Sequence, residues 1–180
     1  MLSRLAYSFS QDQLIQFTQG LILSKIRYGL ALYGAIRMSE SCPQDQSMHS
    51  LEVAINDAMH VIMGSRRRDR VPIVELRNET KLPSLNQLIV QSVLTEAWKI
   101  QHGLSTSIED LMTPIKNRNM TTQAASQGHV RVPVASNRLT FTSFSYKAAT
   151  LWNDAPADIL EEAKVSPAKR KIKEYAGSFP

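Results

Sequence analysis

The sequence predicts an all-α fold: a bundle of four to five helices with a partly ordered connector and a short C-terminal helical tail. Apolar residues recur at helical spacing over three long stretches. Serine, proline and glycine punctuate those stretches where helices start and stop. Alternating, strand-like patterning is confined to one brief run over 139–142, which reads as a short strand. A chain of 180 residues, 43% hydrophobic and 21% charged, suits one domain with a real core, or one domain and a small appendage. The expected organisation is a helical domain over 1–112, a loop or linker over 113–142, and a helical tail over 143–180.

Ser10 followed by Gln13 forms a capping-box signature and opens an apolar stretch over 14–36. Leu14, Phe17, Leu21, Tyr28 and Leu32 recur at helical spacing, with Ile15, Ile22, Ile26 and Tyr33 beside them. The part over 28–36 is apolar nearly all round and is expected deep in a core, the Tyr28 and Tyr33 pair included. Gly20, Gly29 and Gly34 each cost such a helix roughly 1 kcal/mol against alanine. Close approach of another backbone is the expected reason for them.

A second helix is expected over 48–63, striped by Leu51, Ile55, Ala58, Met59 and Ile62 and stopped by Gly64. A basic loop over 66–70 follows, and Pro72 suits the first turn of a short helix through Leu76. Leu82, Pro83 and Ser84 introduce a third long helix that Gly103 stops. Residues 113–137, rich in Asn, Thr, Ser, Gln and Pro, read as a loop or linker. Residues 144–152 read as helix, with a stop and new start at Asn153 to Pro156. Ser166 and Pro167 open a final basic helix over 168–175. Trp98 and Trp152 lie on apolar helical faces and are expected in the core.

The net charge is +5 and the isoelectric point near 9.5, which suits a nucleic-acid partner where the charge is clustered. A single cysteine, Cys42, excludes an internal disulfide and a multi-cysteine zinc site. The expected location is therefore intracellular, nuclear or cytoplasmic. The longest uncharged apolar run, 28–36, is far below the about 20 residues of a membrane span, and the N-terminus has no apolar signal core.

A polymerase needs clustered carboxylates to hold two metal ions about 4 Å apart. The acidic neighbours Glu109 with Asp110 and Glu161 with Glu162 sit in amphipathic helical contexts, and Asp154 falls where a helix cap belongs. His49, His60, His102 and His129 lack short ligand spacing. No nucleophile motif or phosphate-binding glycine loop is present. No catalytic residue, metal or cofactor is expected, and the chain is not expected to be an enzyme in itself.

Two basic clusters remain. Arg66, Arg67, Arg68 and Arg70 gather beside Asp69, and arginine forks match phosphate oxygens in pairs. The same loop reads equally as a solvated connection. Lys169, Arg170, Lys171 and Lys173, with Lys164, form the second cluster, the lysines facing outward while Ile172 and Tyr175 face the core. An ordinary surface helix has the same pattern.

Ser143-Phe144-Ser145-Tyr146, and then Ala148-Ala149-Thr150-Leu151-Trp152-Asn153-Asp154-Ala155-Pro156, resemble a tail found in jockey-like and related non-LTR retrotransposon reverse transcriptases. In that family Leu-Trp-Asn, two residues and Pro lead into a basic helix, which Ser166 and Lys169 to Lys173 match. Ala168 stands where the family has phenylalanine. Ser24-Lys25-Ile26-Arg27-Tyr28-Gly29 with Leu32-Tyr33-Gly34 resembles the helix that follows the polymerase palm. Leu82-Pro83-Ser84 through Lys99 and His102-Gly103 resembles the next long helix. The likeness spans roughly 10–176, and its best motif is the Leu-Trp-Asn-x-x-Pro tail.

The resemblance implies that the family's catalytic aspartates lie upstream, in a palm that this sequence does not contain. It implies a non-catalytic thumb and post-thumb portion of a retrotransposon RNA-directed DNA polymerase. The implied partner is an RNA or DNA backbone, held weakly and without sequence preference. The rest of a polymerase or another protein is a further partner. The alternative is a helical protein-interaction module, or a degenerate transposon remnant without activity. An apolar patch left exposed over 28–36 favours either the fragment or the partner-binding reading.

Overall fold

The computed structural model describes residues 6–34, 46–65, 67–105, 110–114, 128–134, 136 and 138–179. These are mostly helical, as expected, and among them no strand is formed. The helices are more numerous and shorter than the expected four or five.

The first long stretch shows why. α1, Gln11–Phe17, starts at Ser10 with the expected capping box: Ser10 Oγ accepts from the Gln13 amide, and Gln13 Oε1 accepts from the Ser10 amide at 3.0 Å. The helix runs on through a π-helical segment, Thr18–Leu23, into α2, Ser24–Arg27. Thr18 Oγ1 donates to the Leu14 carbonyl, and Ser24 Oγ donates to the Gly20 carbonyl, so hydroxyls compete for carbonyls at both ends of the widened segment. The chain then breaks. Tyr28 is extended and Gly29 is left-handed at φ +74°, after which α3, Leu30–Tyr33, makes a fresh start.

The expected single helix over 14–36 is thus corrected, and so is the core assignment of its tyrosines. Tyr28 is 93% exposed and Tyr33 80%, while Leu30 is buried. Residues 35 and 36 lie outside the described residues. None of the three glycines meets the backbone of another segment, and only Gly34 is closely packed, against its own helix and the Ile89 side chain. A Cβ there would lie 2.5 Å from the Leu30 carbonyl oxygen and 2.9 Å from Ile89 Cγ1. Gly20 has open space around it, and Gly29 serves the turn.

α4, Gln46–Ile62, buries Ile55, Ala58, Met59 and Ile62 as its stripe predicts. Gly64 (φ +64°) ends it in a Schellman motif, in which the Ser65 amide donates to His60 O and the Gly64 amide to Val61 O. A 3₁₀ turn, Arg67–Asp69, leads to α5, Ile73–Thr80, with Pro72 at its N-cap. α6, Leu85–Gln101, buries Leu88, Val90, Val93, Ala97 and Trp98, and ends at Gly103 (φ +67°) in a second Schellman motif. Full burial of one such leucine stabilises by about 1.5–3 kcal/mol.

The expected strand over 139–142 is instead helix: α7, Arg138–Thr142. A lone strand would leave its backbone groups unpaired, whereas the helical turn satisfies them locally. Thr140 O accepts both the amide and the hydroxyl of Ser143. Ser143 in turn caps α8, Phe144–Asp154. Asp154 closes α8 rather than capping the next helix, since Pro156 is the N-cap of α9, Ala157–Leu160. α10, Val165–Ala176, buries Ala168, Ile172 and Ala176. The connector is not wholly loose: Pro114 and Val130 form an isolated antiparallel bridge, and the Arg131 amide donates to Thr113 O.

By packing, the chain divides into two compact units, Met1–Tyr28 with Arg37–Leu85, and Gly29–Ile36 with Asn86–Pro180. α6 and the C-terminal helices share a core, tied by the Trp98 indole donating to Glu162 O at 3.0 Å and by Gln87 Nε2 donating to Phe179 O.

Candidate nucleic-acid interface

The first unit carries the arginine cluster. Once Gly64 has ended α4, the chain tightens into the Arg67–Asp69 turn, and Arg70 takes a left-handed conformation at φ +50° before Val71 and Pro72. A non-glycine residue rarely adopts that conformation. Arg68 and Arg70 are exposed. Arg67 contributes its backbone to the turn, and Arg66 lies outside the described residues.

The second unit carries the other cluster on α10. Burial of Ala168, Ile172 and Ala176 at four-residue steps orients the helix, and Lys169, Arg170 and Lys173 are exposed. Those three fall within about 100° of helical arc. Lys171 is differently placed. Its ammonium donates to Glu162 Oε2 and to Asp158 O, both at 2.8 Å. That hydrogen bond, followed by one from the Lys164 amide, lowers the pKa of the Glu162 carboxyl. Tyr175, expected in the core, is half-buried, with its hydroxyl donating to Asp154 O; burial, then the Asp154 charge, raises its pKa.

Trp98 and Trp152 are buried as expected. The Trp152 indole donates to Gly128 O at 3.1 Å. Asn153 grips the next connector residue but one, accepting from the Val130 amide and donating to the Val130 carbonyl. The Leu-Trp-Asn-x-x-Pro motif is therefore a structural clamp, with Leu151 in the core and Pro156 starting α9.

Sequence reasoning passed over Lys147, which is 1% exposed. Its ammonium donates to Ala31 O and Leu32 O at 3.4 Å and to Gly34 O, carbonyls that a four-residue helix leaves without intrahelical partners. Burial lowers its pKa from 10.5 to about 8. The available signal was its position between Phe144 and Ala148 on the apolar face of α8.

His60 Nδ1 lies 2.9 Å from Ser65 Oγ, and His102 Nδ1 2.9 Å from Trp98 O, its ring stacked on the indole. Among the described residues no three His, Cys, Asp or Glu side chains gather where they could hold a metal ion. No helix among them is long and apolar enough to cross a membrane.

Fold and surface together define a chain that is mostly helical among its described residues, with exposed cationic side chains on each unit. The chain matches no family model, no curated protein and no solved structure.

Proposed function

We propose that this chain is a non-catalytic, C-terminal portion of a retrotransposon RNA-directed DNA polymerase, and that it holds a nucleic-acid backbone weakly and without sequence preference. The observation that carries this reading is the outer face of α10. Lys169 and Lys173 are four residues apart, a spacing at which like charges destabilise a helix by about 0.2–0.5 kcal/mol. The first turn has no acidic residue to complement the helix dipole, and Lys169 and Arg170 follow it. Phosphates along that face relieve the repulsion between the two lysines. Arg68 and Arg70 offer forked donors for phosphate on the other unit.

A second reading, a helical protein-interaction module, draws support from the exposed Leu32 and Tyr33 of α3.

Salt-dependent binding to duplex DNA tests the first reading. Each phosphate contact adds about 0.9 to the slope of log affinity against log salt. Replacing Lys169, Arg170 and Lys173 together with alanine should flatten the slope by about 2 to 3. Lys171→Ala should change it less, because that ammonium is already engaged. Absence of duplex binding by the wild-type chain overturns the proposal and favours the interaction module.

A further inference from the structure

We propose that α3 is a detachable strap on the second unit, latched by Lys147 and opening more readily as pH falls. The strap belongs to the second unit although the chain on either side of it belongs to the first. Gly29, left-handed at φ +74°, follows the extended Tyr28 and gives it a hinge. It is one helical turn long, and a single turn is not stable in isolation. What keeps it formed is its packing on the second unit. Leu30 is buried, Gly34 lies against Ile89, and the Lys147 ammonium of α8 donates to Ala31 O, Leu32 O and Gly34 O. Leu32 and Tyr33 stay exposed, so the hold rests on one leucine, one glycine contact and one ammonium.

That ammonium is the weak member of the latch. Lys147 is 1% exposed and its partners are carbonyls, which answer its hydrogen bonds but not its charge. α3 brings one titratable group, Tyr33, which is 80% exposed. On α8 the residues one turn away, Ser143, Phe144, Thr150 and Leu151, are uncharged. α7 has no carboxylate, and the charges of α6, Glu96 and Lys99, pair with each other at 2.7 Å. Burial therefore lowers the Lys147 pKa to about 8, against an ordinary 10.5. In the open strap the side chain regains water and its ordinary value. Between the two values the open form binds more protons, so closure tightens as pH rises and loosens as pH falls towards 8. Opening adds Leu30 to the exposed Leu32 and Tyr33 and frees a cation beside them, a surface that the closed form withholds.

Hydrogen exchange of the intact chain tests this between pH 7 and 9, with each rate corrected for the intrinsic pH dependence of exchange. The Leu32, Tyr33 and Gly34 amides, which bond to Gly29 O and Leu30 O, report opening of the strap. The amides of the buried Val93 and Leu94 in α6 report global unfolding. The strap amides should exchange faster than those of α6 at every pH, and strap opening should fall roughly tenfold from pH 7 to pH 9. Lys147→Met should abolish that fall. Leu30→Ala, which keeps the latch, should raise opening roughly 30-fold or more at every pH and preserve the fall. If the strap amides exchange in step with those of α6, α3 opens only with the whole unit and the strap is overturned. If strap opening is separate but level from pH 7 to pH 9 in wild type, Lys147 is no latch and the proposal fails.

Discussion

Asn153 closes a pair of 2.9 Å hydrogen bonds on Val130, its carboxamide oxygen taking the Val130 amide and its nitrogen giving to the Val130 carbonyl. A side-chain amide here does what a neighbouring strand does for an extended residue, and Val130 is fully buried. The end of α8 is joined in this way to a connector that has little periodicity of its own.

Removing that amide should be costly. Asn153→Ala leaves a buried donor and a buried acceptor unpaired, at about 1–3 kcal/mol for such a group. A loss of roughly 2 kcal/mol in urea unfolding is expected. Asn153→Asp keeps the acceptor but sets a carboxylate against the Val130 carbonyl, so it should be no milder. An unchanged unfolding midpoint in both variants would show that the clamp contributes nothing.

Lys147 makes stability depend on pH in an alkaline window. Its folded pKa of about 8 lies below its ordinary 10.5 because burial disfavours the ammonium. Between those values the unfolded chain binds more protons than the folded one, so stability from this group rises with pH. Its contribution is complete above 10.5 and is lost as pH falls through about 8. The stability of wild type minus that of Lys147→Met should therefore grow between pH 8 and 10, measured by urea unfolding at each pH. A difference that stays level across that range would contradict the assignment.

Two glycines separate conformational from steric demand. At Gly34 a Cβ would meet the Leu30 carbonyl oxygen at 2.5 Å and both branches of Ile89 at 2.9 and 3.1 Å. Gly34→Ala should destabilise by about 1–3 kcal/mol, the range for forced overpacking. At Gly20 a Cβ meets nothing within 4 Å, and Gly20→Ala should stabilise by about 0.5–1 kcal/mol through helix propensity. Thermal unfolding of the two variants should shift in opposite directions.

What the sequence by itself determined is what local chemistry decides. The Ser10–Gln13 box, the stops at Gly64 and Gly103, and the start at Pro72 each depend on groups within about five residues. Periodicity likewise placed Ile55, Met59, Leu88, Trp98 and Ile172 inside, because a helix turns the same way wherever it packs. The outward Lys169 and Lys173 were legible for the same reason.

Tertiary structure alone decided the rest. Lys147 is buried because carbonyls more than a hundred residues earlier in the chain receive its ammonium. Residues 138–142 are helical where, among the described residues, no strand lies alongside to pair with them. Tyr28 and Tyr33 face solvent because the chain breaks at Gly29, which turns an apolar pattern away from the core that it would otherwise join. Lys171 differs from its basic neighbours because Glu162 and Asp158 O lie within its reach. A sequence pattern carries each residue's preference, whereas the partner that satisfies or frustrates it arrives only when distant segments meet.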